Sequence, residues 1–154
     1  MPEISRVMKA SGCHCRTKAQ LDELVAAGMK TIITKTCTLN QNKGNPLPVF
    51  LEVAPDISLN CLGMPNLGYN YYKNLFLEYH MQGITYIISM DASNLENLLE
   101  MLTDYDTHLS KLKQTLRVPA NTSAYVEINL SCPSTGCPRI IAYDTLTFAR
   151  ALEA

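Results

Sequence analysis

The chain has 154 residues, of which 47% are hydrophobic and 18% are charged, and its formal net charge is −1. This composition suits one folded domain, and the balanced charge excludes the basic surface typical of nucleic-acid-binding proteins. The sequence has neither an apolar run of the roughly 20 residues that a spanning helix needs nor an apolar signal core at its start. We therefore expect a single cytoplasmic domain over 1–154, with no nucleic acid and no membrane among its partners.

Strands and helices are predicted to alternate along the chain. Apolar, β-branched runs predict four strands, over Ile4–Ala10, Lys30–Thr36, Ile84–Ser89 and Ala124–Ser131. Apolar residues at helical spacing predict helices after a cap at Thr17, over Tyr69–Gln82, over Leu95–Leu112 and from near Asp144 to the end. Gly28 suits the left-handed end of the first helix.

The stretch between the second strand and the second helix is predicted to be irregular. It is rich in Asn, Gly and Pro, with two extended pieces around 49–52 and 57–62. Beyond it, Tyr69, Tyr71 and Tyr72 resemble a stacking platform for bases, but an aromatic helix face packed on the sheet is the favoured interpretation.

Four strand–helix units indicate a parallel sheet with crossover helices. An eight-unit (β/α) barrel takes about 250 residues, so this chain would hold about the first four units of such a barrel. The alternative is a small open, doubly wound sheet. It is disfavoured because no Gly-x-Gly-x-x-Gly follows the first strand and polar residues follow several strands.

Six cysteines are present, and their spacing is a poor match to zinc ligands. Cys13 and Cys15 are separated by one residue, and Cys132 and Cys137 by four. We expect reduced thiols and no metal site.

Small and polar residues occupy the predicted strand ends, where a barrel builds its active site. Three such segments are Ala10-Ser11-Gly12, Thr34-Lys35-Thr36 and Asn129-Leu130-Ser131-Cys132-Pro133. A fourth polar segment, 59–66, lies in the irregular insert.

The motifs ASG, TKT, NCLGMPNLGYNYY, NLSCP and IAYD, in this order and spacing, resemble the class 1A, fumarate-linked dihydroorotate dehydrogenases. The resemblance covers nearly the whole chain and is weakest between about 91 and 120. NLSCP alone is also similar to other flavin barrels that oxidise pyrimidines, such as dihydropyrimidine dehydrogenase, which is an alternative assignment.

The resemblance implies oxidation of dihydroorotate to orotate in de novo UMP synthesis, with FMN as cofactor and fumarate as the later oxidant. It implies Cys132 as the catalytic base, since a thiol ionises close enough to neutrality to accept a proton reversibly. It also implies Lys35 as a charge that stabilises the reduced flavin and the substrate carboxylate.

The remaining implied sites fall into two groups. The flavin would contact Ala10, Ser11, Gly12, Lys35, Thr36 and Asn129. The substrate would contact Lys35, Asn60, Cys61, Leu62, Gly63, Met64, Asn129 and Ser134. A homodimer is implied for a full-length protein.

Some features depart from this pattern. Ser134 stands where the family has an asparagine, and Met90 follows Ser89 where a glycine is usual. The chain is expected to be either the N-terminal portion of a longer barrel or a non-catalytic half-barrel that pairs with itself or another half. In isolation it is expected not to hold FMN tightly.

Overall fold

The protein alternates helices and strands around one small parallel sheet. A computed structural model describes residues 7–116, 118–120, 122–132 and 140–153. The elements are α1 (Lys18–Ala26), β1 (Thr31–Ile33), β2 (Phe50–Ala54), β3 (Ile57–Asn60), α2 (Tyr69–Met81), β4 (Thr85–Asp91), α3 (Leu95–Leu116), β5 (Tyr125–Asn129) and α4 (Thr145–Glu153). Short 3-10 turns occupy Cys13–Cys15 and Ile141–Tyr143.

The parallel sheet has the order β1-β4-β5, with β4 in the centre. All seven residues of β4 are buried, as expected for a strand that is covered on both faces. The strand register places Ile33 beside Ile87 and Asp91 beside Asn129. Helices α2 and α3 make the crossovers that parallel neighbours require. The structure thus confirms a mixed α/β fold with a parallel sheet.

The predicted first strand is wrong as far as the structure describes it. Residues 7–10 form no strand, and residues 4–6 lie outside the described residues. Val7 is 74% exposed, so the apolar side of this run is not covered as a parallel strand would be. The described residues therefore contain three parallel strands rather than the expected four.

The aromatic face of α2 packs into the core. Tyr69, Tyr72, Phe76 and Tyr79 are each at most 2% exposed. Their buried hydroxyls have partners: Tyr72 donates to the carbonyl of Arg16 at 2.9 Å, and Tyr79 donates to Asp22 at 2.8 Å. The interpretation of this face as core packing is confirmed for Tyr69 and Tyr72.

The predicted helix boundaries follow local capping chemistry. Thr17 and Gln20 form a reciprocal capping box at the start of α1. Gly28, with φ of +93°, follows its end in the left-handed conformation. Helix α3 is longer than predicted, and α4 begins directly after Asp144 as expected. Among the described residues, no helix is long and apolar enough to cross a membrane.

The two extended pieces of the insert pair as an antiparallel hairpin, β2–β3. Behind it, the buried Asn66 side chain holds the chain together before α2. Its Oδ1 accepts from the Gly68 amide at 2.8 Å, while its Nδ2 donates to the Met64 carbonyl and the Thr38 hydroxyl, both at 3.0 Å. One side chain therefore joins the insert, the segment after β1 and the start of α2.

Replacing Asn66 should destabilise the fold. Asn66→Ala leaves several buried donors and acceptors without partners, so the free energy of unfolding should fall by about 2–4 kcal/mol. Urea denaturation followed by circular dichroism measures this change. Asn74→Ala, at an exposed position of α2, is the matched control and should change stability by less than about 0.5 kcal/mol. Equal stability of the two variants would contradict the structural role of Asn66.

Candidate functional site

The polar residues that follow the parallel strands meet at one edge of the sheet. The chain after β1 continues along β4, since the amide of Thr34 donates to Ile87 and that of Cys37 donates to Ser89. On the other side, the end of β5 is level with the end of β4, where Asn129 pairs with Asp91. Parallel strands present their carboxyl ends at the same edge, so residues distant in sequence become neighbours.

Lys35 lies at the centre of this edge. Its backbone amide donates to the Cys15 carbonyl at 2.7 Å, and its Nζ donates to the Ser11 carbonyl at 3.4 Å. Burial lowers the pKa of the Lys35 ammonium, and the neighbouring thiols of Cys132 and Cys13 partly oppose this shift. The structure therefore brings Lys35 to Ser11 and into the electrostatic range of Cys132.

Cys132 lines an open cleft beside this lysine. The cleft has a volume of about 460 Å³ and is lined by Ser11, Glu127–Cys132 and Ala142. Cys132 is a half-buried free thiol. Ser11, Asn129 and Cys132, which the sequence predicted to share a site, thus share one cleft.

The Asn129 amide is held in a fixed orientation. Its Nδ2 donates to the Thr36 hydroxyl at 3.1 Å, and its Oδ1 accepts from the Ser131 backbone amide at 3.0 Å. Thr36 is 1% exposed, so it supports Asn129 from inside the sheet. The structure thus brings Thr36 and Asn129 together.

The Ala10–Gly12 segment gives this edge an open backbone surface. Gly12 is exposed, and a Cβ added there would meet only the Ala10 carbonyl, at 3.8 Å. The Gly12 amide donates to the same carbonyl at 2.7 Å. Space for a flat ligand beside this backbone follows from the absence of a close side chain on Gly12.

The insert residues are ordered by a different set of contacts. Asn45 donates from Nδ2 to the Cys61 carbonyl at 2.8 Å, and Asn42 donates to the Gly63 carbonyl at 3.0 Å. A Cβ on Gly63 would lie 2.5 Å from the Asn45 side chain, so only glycine fits there.

The predicted substrate wall of the insert stays a prediction. Asn60 and Cys61 are exposed, while Leu62 is half-buried and Met64 is buried. Within the part of the chain that is described, no hydrogen bond joins Asn60 to Lys35 or Asn129. Ser134 lies outside the described residues.

Glu127 is a site residue that the sequence reasoning missed. Its carboxylate accepts from the Ser89 hydroxyl at 2.7 Å, and Ser89 lies 2.9 Å from the Thr36 hydroxyl. The signal was available: Glu127 precedes Asn129 by two residues on β5, so both face the same side of the sheet. No group of three or more metal-binding side chains converges among the described residues.

Replacing Lys35 with a neutral side chain should stabilise the fold. The lowered pKa means that the unfolded chain binds more protons than the folded one as the pH approaches the ordinary lysine value of 10.5. The stability of the parent should therefore rise through this range, whereas Lys35→Met should be more stable at about pH 7 and lose that advantage toward about pH 10.

Urea unfolding of both proteins at the two pH values measures this difference. Lys43→Met, at an exposed loop position, is the control and should show no such change. A Lys35→Met variant that is less stable than the parent at neutral pH would contradict the cost of burying this ammonium.

Comparison with known proteins gives this edge of the sheet a family context. A family model described as dihydroorotate dehydrogenase matches residues 4–152. Dihydroorotate dehydrogenase (fumarate) of Lachancea kluyveri is 34% identical over 140 residues, covering 89% of this chain and 40% of the relative. Dihydroorotate dehydrogenase A (fumarate) of Lactococcus lactis subsp. lactis is 34% identical over 141 residues, covering 89% and 41%.

A putative dihydroorotate dehydrogenase A (fumarate) of Streptococcus uberis is 32% identical over 151 residues, covering 95% of this chain and 43% of the relative. The chain thus spans about two fifths of the length of the curated relatives that it matches. Since the family model matches nearly every residue, the chain belongs to the dihydroorotate dehydrogenase family.

Proposed function

We propose that this chain serves the oxidation of dihydroorotate to orotate in de novo UMP synthesis, with FMN as cofactor and fumarate as the final oxidant. The observation that carries the proposal is the convergence of Lys35, Asn129 and Cys132 at one edge of the parallel sheet. The names of the relatives, which specify dihydroorotate and fumarate, support the same reaction.

The residues at this edge fit the ring system of a flavin. The open backbone at Ser11 and Gly12 offers a flat surface, and Lys35 makes one long hydrogen bond of 3.4 Å, which leaves ammonium donors for a ligand. Ala10, Thr36 and Asn129 would complete the contacts with the ring. When bound, FMN would accept a hydride from the dihydropyrimidine ring.

Cys132 is proposed as the base that removes the proton from the ring carbon next to the hydride donor. The thiol faces the same cleft as Asn129, and a positive charge lies in its electrostatic range at Lys35. A nearby cation favours the thiolate, which is the form that accepts a proton. Lys35 is further proposed to bind the substrate carboxylate and to stabilise negative charge that develops during the reaction.

The substrate wall is proposed to include Asn60, the backbone from Cys61 to Met64, Asn129 and Ser134. Asparagine amides offer both a donor and an acceptor, which matches the ring amides of a pyrimidine. The tight fit of Gly63 against Asn45 would hold this backbone in a single conformation.

The chain is further proposed to supply strand–helix units of an eight-stranded (β/α) barrel, in a cytoplasmic homodimeric enzyme. The parallel strands β1, β4 and β5, with α2 and α3 as crossovers, support this architecture.

Cys132→Ser should slow the reduction of bound flavin by dihydroorotate by about 10²–10⁴-fold. A serine hydroxyl keeps the shape and the hydrogen bonding but is a much weaker acid, so its basic form is scarcely populated near neutrality. The measurement is anaerobic stopped-flow absorbance of the flavin. It uses a polypeptide in which this chain replaces the matching part of the Lachancea kluyveri or Lactococcus lactis relative.

Flavin content is measured in parallel and should be unchanged, because the proposed base does not hold the cofactor. Cys13→Ser, at an exposed position, controls for the loss of a thiol and should reduce at close to the parental rate. Reduction of the Cys132→Ser protein at the parental rate would show that Cys132 is a packing residue, with Cys61 and Cys137 as the next thiols to test.

A further inference from the structure

We propose that Glu127 is a positioning residue that fixes the orientation of the Asn129 amide through a one-way relay of hydrogen bonds. The relay runs from Asn129 to the Thr36 hydroxyl, from Thr36 to the Ser89 hydroxyl, and from Ser89 to the Glu127 carboxylate. This inference rests on the proposed function only in so far as Asn129 faces the pyrimidine.

The relay crosses all three strands of the parallel sheet. Thr36 follows β1, Ser89 lies in β4, and both Glu127 and Asn129 lie in β5. The three successive distances are 3.1, 2.9 and 2.7 Å, so every step is a well-formed hydrogen bond. Thr36 is 1% exposed and Ser89 is fully buried, so water does not replace these partners.

The carboxylate end sets the direction of the relay. An ionised carboxylate only accepts, so Ser89 donates its single proton to Glu127. Ser89 then accepts the hydrogen bond from Thr36, whose own proton is committed to this step. The Thr36 oxygen is left as an acceptor and must face an amide N–H rather than an amide oxygen.

The opposite end gives the same direction independently. The backbone amide of Ser131 only donates, so the Asn129 side chain must turn its oxygen toward it. Its nitrogen then faces Thr36. The two ends agree, and every proton in the relay has one assigned acceptor.

A flipped Asn129 amide would break the relay at both ends. Its oxygen would face the lone pairs of Thr36, and its nitrogen would face the Ser131 N–H. Leaving such buried groups unsatisfied should disfavour the flipped amide by at least about fivefold. A ligand in the cleft therefore always meets the same order of donor and acceptor on Asn129, and Glu127 keeps that order without contacting the ligand.

The test follows the side-chain amide of Asn129 by NMR in the flavin-free, ¹⁵N-labelled chain. Its pair of signals is the pair that disappears in Asn129→Asp. In Glu127→Met and in Ser89→Ala the hydrogen-bonded N–H should exchange with water about three- to tenfold faster, as expected for the loss of one hydrogen bond. The double variant should show no further increase, because both changes break the same relay.

Glu127→Gln is the rescuing variant, because an amide oxygen turned toward Ser89 restores the acceptor. It should exchange at nearly the parental rate. Glu23→Met, on the exposed face of α1, controls for the loss of a carboxylate and should leave the Asn129 signals unchanged.

Two results would overturn the relay: parental exchange in both Glu127→Met and Ser89→Ala, or equal acceleration in Glu127→Gln and Glu127→Met. Should one variant fail to fold, the other still decides the matter. This readout needs neither flavin nor turnover, so its failure is distinct from a failure of the proposed reaction.

Discussion

The candidate site depends on the burial of one strand between two parallel neighbours. Because β4 is covered on both faces and pairs with β1 on one side and β5 on the other, the three strands must end at the same edge. Lys35 and Cys132 are separated by nearly a hundred residues in sequence, and this pairing alone brings them into electrostatic range. The aromatic face of α2 stabilises the arrangement by covering the sheet with four side chains that are at most 2% exposed.

Polar groups inside this sheet carry the site's specificity rather than the fold's stability. A buried hydroxyl such as that of Ser89 contributes little when it is paired but costs stability when it is not. The same holds for the Lys35 ammonium, whose burial lowers its pKa. Groups that cost stability and that converge on one cleft are typical of a functional site.

Much of the fold could be predicted because the signals are local. The capping box at Thr17, the left-handed Gly28 and the apolar run of β4 each depend on a few adjacent residues. The positions of Lys35 and Asn129 followed in turn, since a polar residue that ends a buried strand lies at the sheet edge. The first strand was wrong because an apolar run of this length indicates a strand only when neighbouring elements cover it, as Val7 shows.

The relay could not be predicted because it depends on the register between strands. The pairing of Ser89 with Glu127 is set by the alignment of β4 and β5, which neither strand encodes alone. Asn66 was missed for a related reason, since its partners come from three separate segments. Residues that act across strands thus need the structure, whereas residues at strand ends do not.

The most direct test of the site is a crystal structure with orotate bound to the flavin-loaded protein in which this chain replaces the matching part of a relative. The account predicts that the ring occupies the cleft lined by Asn129 and Cys132. The Asn129 amide should lie within about 2.6–3.2 Å of a ring heteroatom and the Lys35 ammonium should contact the ligand. Orotate bound elsewhere, for example against Phe50 and Leu59 of the hairpin, would contradict it.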